Sequence, residues 1–266
     1  MTALRDSLWL WGHEAGSHNE HWGLPGPSRM TPAEAAFYLG IPNLVMVVYQ
    51  GKPEPPFDQH ARAFRPLRRV VWSIVGDSSS KRNDEKTDLD EVLRLAGEHA
   101  NVSGAIMDDF FHEPDAAGAI GRYTPRDLAG FRQRLRAAAR PLDLWVVLYA
   151  QQLHLPVRAH LAECDVVTFW TWRARDLPAL PENFAQLEAL APSARKVLGC
   201  YLWDYGERKP MPLDLFQGQV RQGLVWLREG RIEGIIFLAS CLCDLGLDTV
   251  EWLRRALAGE APAFTA

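Results

Sequence analysis

Apolar positions in this chain gather mostly into continuous short runs and seldom alternate with polar ones. There are eight: LWLW (Leu8 to Trp11), LVMVVY (Leu44 to Tyr49), VVWSIV (Val70 to Val75), GAIMDD (Gly104 to Asp109), LWVVLY (Leu144 to Tyr149), VVTFWT (Val166 to Thr171), VLGCYLW (Val197 to Trp203) and GIIFLA (Gly234 to Ala239). A short unbroken apolar run is how a strand buried on both faces reads. Helical periodicity lies between them. Val92, Leu93, Leu95 and Ala96 make one face, and after Pro212 so do Leu213, Leu215, Phe216, Val220, Leu224 and Leu227. Thr31-Pro32-Ala33-Glu34 is a capping box with proline at the first helical position. Thr124-Pro125-Arg126-Asp127 repeats it with Asp. Thr87 with Asp90 is predicted to open a third helix, and Asp248 to cap TVEWLRRALAG. Pro53, Pro55 and Pro56 crowd the helix after the second run, and PVRAHLAE predicts a short one. Asp77 to Asp88, DSSSKRNDEKTD, reads as a solvated loop.

Strand then helix, eight times, with strand starts about 22 to 40 residues apart, predicts parallel strands joined by crossovers. Eight such units in one chain predict an α/β fold, a single (β/α)8 TIM barrel spanning residues 1–266 as one domain. A doubly wound open sheet is the second choice. It calls for a Gly-rich phosphate loop after the first strand, and WGHEAGSHNEHWGLPG lacks that spacing. No internal repeat or low-complexity linker divides the chain.

Composition changes this picture little. The 266 residues are 47% hydrophobic with a formal charge of −4 and no long basic block, so nothing points to nucleic acid or an anionic membrane as partner. No segment reaches the ~18 apolar residues of a membrane span. The first residues carry no signal peptide pattern, so a soluble, cytoplasmic chain is expected, with an export signal removed beforehand left open. Cys164, Cys200, Cys241 and Cys243 form no CxxC pair and are expected to be buried free thiols. Ser240, in LASCL, has no GxSxG context.

The ends of the runs carry the chemistry. In a parallel barrel every strand's C-terminal end opens on one face, where active sites sit. Those ends bring His13, Glu14, His18, Trp22, Tyr49, Gln50, His112, Tyr149, Gln151, Trp170, Trp172, Arg173, Tyr201 and Trp203 to one rim. Indole faces beside Asp, Glu, Gln and Arg suit a carbohydrate or glycoside, whose ring offers C–H faces to stack and hydroxyls to bond. Asp108 and Asp109 close the fourth run. As neighbours on a strand they are expected to point to opposite sides, with at least one facing the mouth. Phe110 and Phe111 would wall the site and raise a carboxyl's pKa. Glycoside hydrolysis needs one protonated and one ionised carboxyl. The expected pair is Asp109 with Asp204, and Asp108 and Glu207 follow; Glu14 is a further option.

DDFF closing the fourth run and WDY closing the seventh, on a barrel pattern, resemble the TIM-barrel glycoside hydrolases in the broad sense. The resemblance implies a catalytic acid at the end of strand four, Asp108 or Asp109. It implies a second from strand six or seven, Asp204 or Glu207, and no cofactor. The chain lacks the DxxDxDxE pattern of chitinase-like enzymes and the Asn-Glu pair of the largest glycosidase clan, so no particular family is assigned. Two alternatives stay open. His13, Glu14, His18, Glu20 and His21 in the first loop could serve a metal-dependent sugar isomerase or hydrolase, although HExxH spacing is absent. A carbohydrate-binding barrel without catalysis would keep the aromatic rim and lack the acid pair. The sequence fixes neither sugar, linkage nor oligomeric state.

Overall fold

Each run becomes a strand: β1 (Leu8–Gly12), β2 (Asn43–Met46), β3 (Arg69–Val75), β4 (Val102–Met107), β5 (Asp143–Tyr149), β6 (Val166–Trp170), β7 (Arg195–Tyr201) and β8 (Gly234–Leu238). The computed structural model describes residues 2–80 and 88–260. In it the strands form a closed, all-parallel barrel, sealed by β1 against β8 with Leu8 opposite Ile235 and Trp11 opposite Leu238. The chain folds as the (β/α)8 barrel that the spacing predicts. Helices follow the strands: α1 (Pro32–Leu39), α2 (Asp58–Ala63), α3 (Leu89–Glu98), α4 (Pro125–Arg136), α5 (Arg158–Leu161), α6 (Leu180–Leu190), α7 (Leu213–Arg228) and α8 (Asp248–Leu257).

The two capping boxes form as read. Thr31 Oγ1 accepts the Glu34 amide at 3.3 Å while Glu34 accepts the Thr31 amide at 2.8 Å, and Thr124 with Asp127 does the same. Thr87 lies outside the described residues. Asp248 is not a cap: it sits in the first turn of α8 behind Leu247, where its charge still suits the helix N-terminus. The helix crowded by prolines, α2, spans six residues, and α5 spans four. Among the described residues no helix is long and apolar enough to cross a membrane.

The barrel interior is filled by indoles. Trp9 of β1 meets Trp145 of β5 edge-on at 5.0 Å, and Trp11 of β1 meets Trp170 of β6 at 5.2 Å. These strands are not neighbours in the sheet, so both contacts cross the barrel. Glycines make room. A Cβ on Gly199 of β7 would lie 2.1 Å from the Trp170 ring, and one on Gly104 of β4 would lie 3.0 Å from Trp145. Below the Trp9 layer, the Arg69 guanidinium stacks 4.5 Å over the Trp9 ring and donates to Asn43 Oδ1 at 3.2 Å. Two of the four tryptophans expected at the rim, Trp170 and Trp203, are therefore core, buried as Trp11 is. Trp11 and Trp170 still form the floor of the cavity above them.

Candidate active site

A cavity of about 980 Å³ opens at the C-terminal ends of the strands. Asp77, Asp108 and Asp109 line it from the ends of β3 and β4. The β3–β4 pairing is irregular between Ser73 and Val75, and such bulges re-aim the residues beyond them. Strand β4 stops at Met107, and Asp109 has φ +42°. That left-handed turn breaks strand alternation. Asp108 and Asp109 thus both line the cavity, contrary to the expectation that neighbours on a strand point apart.

Their environments differ. Asp108 is 6% exposed. Its Oδ1 accepts the Asp109 amide at 2.9 Å, and among the described residues no protein group bonds its other oxygen. Burial, reinforced by the nearby charges of Asp109 and Asp77, holds its pKa well above the usual carboxylate range. Asp109 is half-buried and uses both oxygens as acceptors, from the Tyr149 hydroxyl at 2.7 Å and the Ser78 amide at 3.1 Å. Asp77 accepts the Gln50 amide at 2.8 Å and the Ser79 amide at 3.1 Å, and burial raises its pKa despite those bonds. Neither Asp108 nor Asp109 pairs with a cation among the described residues.

The opposite wall is largely aromatic, with Glu20, His21 and Arg208 at its edge. It comes from the loop after β1, from Trp172, and from the hairpin after β7, in which Trp203–Asp204 pairs with Lys209–Pro210. Loop and hairpin are fastened together. Trp203 Nε1 donates to the Trp22 carbonyl at 2.9 Å, the Tyr205 hydroxyl bonds His18 Nδ1 at 3.0 Å, and the Arg208 guanidinium lies 5.7 Å from the Trp22 ring centre. Trp22 Nε1 reaches the Tyr49 hydroxyl at 3.1 Å. His13 accepts the Trp11 indole N–H on Nε2 at 3.0 Å. Since an indole only donates, the ring proton of neutral His13 sits on Nδ1. Burial lowers the pKa of both histidines, that of His18 to about 3, so these two stand as imidazole and not imidazolium. Burial likewise lifts the Tyr149, Tyr201 and Tyr205 hydroxyls well above their ordinary value.

Of the residues singled out from sequence, Asp108, Asp109, His13, His18, Trp22, Tyr49, Gln50, His112, Tyr149, Gln151, Trp170, Trp172 and Tyr201 line the cavity. Five do not. Asp204 is fully buried: Oδ1 accepts the Glu207 amide at 3.0 Å and Oδ2 the Ala174 amide at 3.2 Å, which pins two loops together. Glu207 pairs outside with Arg175 at 3.0 Å and with Lys209. Glu14 turns away to His60 at 3.4 Å. Arg173 is exposed beside Gly206, and Trp203 supports the roof from below. Beyond the end of β4, Glu113 meets His154 at 3.0 Å on the surface. The structure therefore does not bring the Asp204 or Glu207 carboxylate to Asp109. Asp77, Tyr205, Arg122 and Arg208 line the cavity without having been chosen, and Glu20 and His21, named only for the metal alternative, line it too. Asp77 had the same signal as Asp109, an acid closing an apolar run.

Other candidates fall away. Among the described residues, no three or more His, Cys, Asp or Glu side chains converge to hold a metal ion. All four cysteines are buried and free, and burial pushes their thiols up, Cys241 to about 12. Ser240 exchanges hydrogen bonds with the His13 backbone and anchors the first loop.

The fold is a TIM barrel, and solved structures share it. A xylanase from Cellvibrio japonicus superposes with a TM-score of 0.58 at 13% identity, over 97% of this chain and 99% of its own. The xylanase A of P. fluorescens subsp. cellulosa, solved with xylopentaose, gives 0.54 at 12%, over 87% and 85%. A xylanase–α-amylase inhibitor protein, solved with trehalose, gives 0.59 at 11%, over 96% and 98%. At these identities the likeness concerns the fold. No protein-family model matches the sequence, and no curated protein sequence matches it.

Proposed function

We propose that this chain cleaves a glycosidic bond, with Asp108 as proton donor and Asp109 as the carboxylate that works beside it. One observation carries the reading: a buried carboxyl whose pKa burial raises, with one oxygen left over, sits next to a second carboxyl fixed by two donors. That is the division of labour an acid-catalysed glycoside cleavage requires. Positive charge developing at the sugar ring would meet Asp109 and Asp77 without a competing cation on Asp109. The rings of Trp22, Trp172 and Tyr205 supply faces for sugar C–H groups.

The fold is also that of a protein named as an inhibitor and solved with trehalose, so carbohydrate binding without turnover is the second reading. A panel of nitrophenyl glycosides and oligosaccharides separates the two. Cleavage that falls by at least about 100-fold in both Asp108→Asn and Asp109→Asn, with thermal unfolding no lower than that of the wild type, supports the proposal. Saturable sugar binding with no cleavage favours the binding barrel. Cleavage unaffected in both variants refutes the assignment.

A further inference from the structure

Three acids of the cavity sit together on one side. Asp77, Asp108 and Asp109 come from the adjacent ends of β3 and β4, while Asp204 is consumed by backbone amides and Glu207 by cations. Both usual glycosidase schemes need carboxyls on opposite faces of the sugar, one to protonate the leaving group and one to attack or to activate water. Among the described residues the facing wall offers mainly aromatic rings and the buried imidazoles of His13 and His18, with Glu20 exposed on the loop after β1 and Arg208 on the hairpin. Next to Asp109 lies an aromatic niche. Tyr149 and Tyr201 both pack edge-on against Trp172, at 6.0 and 5.8 Å, and Tyr201 lies 5.1 Å from the Trp170 ring. A carboxylate acceptor, phenol hydroxyls and apolar ring faces together match a group that offers an N–H, a carbonyl oxygen and a methyl.

Resting on the glycosidase reading above, we infer that the substrate is a 2-acetamido sugar whose own amide supplies the nucleophile. The acetamido carbonyl oxygen attacks the anomeric carbon as the bond to the leaving oxygen breaks. The leaving oxygen takes the Asp108 proton. Asp109 accepts the amide N–H and balances the positive charge of the resulting oxazolinium ring. Water then adds to the anomeric carbon and gives a proton back to Asp108. The carbonyl bond to carbon breaks, and the acetamide is restored with net retention. Tyr149 is a positioning residue: its 2.7 Å bond aims the Asp109 carboxylate.

The experiment uses the full chain with paired 4-nitrophenyl glycosides that carry 2-acetamido or 2-hydroxy groups, and an acetamido series with zero to three fluorines on the methyl. Fluorine weakens the carbonyl nucleophile and leaves the leaving group unchanged. The expected result is cleavage of the acetamido member only, with kcat/KM falling by roughly 100-fold or more from acetyl to trifluoroacetyl. Asp109→Asn should lower kcat far more than it changes KM. Tyr149→Phe should do the same to a smaller degree, and both should unfold at the wild-type temperature. Cleavage of 2-hydroxy glycosides that depends on Asp108 and Asp109 would overturn this inference and leave the glycosidase reading standing. So would indifference to fluorine combined with loss of activity in Glu20→Gln, or in Asp84→Asn or Glu85→Gln, which lie outside the described residues. Absence of cleavage for every glycoside would overturn both.

Discussion

Asp204 gives a sharp test because its sequence context, an acid between aromatics at a strand end, marks it as catalytic, whereas its surroundings make it a staple. The perturbation is Asp204→Ala. In the native fold the side chain is fully buried and accepts two backbone amides, Ala174 at 3.2 Å and Glu207 at 3.0 Å. Truncation strands both donors. A buried donor left without a partner costs about 1–3 kcal/mol, so two of them put the loss at about 2–5 kcal/mol, with partial relief if water enters. In a chain of this size each kcal/mol moves Tm by about 2–4 °C, which gives a fall of roughly 5–15 °C. Asp204→Asn keeps one acceptor oxygen and should lose about half as much. The assay is thermal unfolding by circular dichroism, with glycosidase activity measured well below the transition. A drop in Tm with activity retained at low temperature supports the staple. Abolished activity with an unchanged Tm would refute it and return Asp204 to the chemistry.

Asp108→Asn should stabilise the protein near neutral pH. The native state keeps the Asp108 proton after the unfolded chain has lost it near pH 3.9, so native stability declines as pH rises above that point. Denaturant midpoints of variant and wild type should converge in acid and separate at neutrality. For His18 the sign is opposite. Its folded pKa of about 3 lies below the unfolded value, so stability is fully present above about pH 6.5 and falls as pH drops towards 3, by up to about 1.4 kcal/mol per unit. His18→Asn should flatten that limb of a pH-unfolding series. Gly199→Ala places a Cβ 2.1 Å from the Trp170 ring and should lower Tm by more than 5 °C or abolish soluble expression; a normal Tm would show that the indole can move aside.

The barrel was legible because eight buried runs are a property of local composition. What each strand end does with its side chains depends on the turn that follows. Asp109 leaves strand geometry for a left-handed φ of +42°, which no pattern of neighbours announces, so the pair's shared orientation was hidden. Asp204 and Asp77 look alike in sequence, acids closing apolar runs. Only the three-dimensional path shows that the first ties two loops and the second faces the cavity. The rim tryptophans divided for a related reason. An indole over a glycine such as Gly199 sinks into the barrel, and one on a loop such as Trp22 stays at the mouth.

The bonds that join His18 to Tyr205 and the Trp22 carbonyl to Trp203 link positions 187 and 181 residues apart. Contacts of such long range are met only after most of the chain has been ordered. The first and seventh crossovers can clasp only when β8 has slotted between β1 and β7, so sugar affinity would report whether the ring has closed. A truncated or circularly opened chain could keep much of its helix and sheet and still hold no ligand, and a graft of either segment alone would arrive without its clasp.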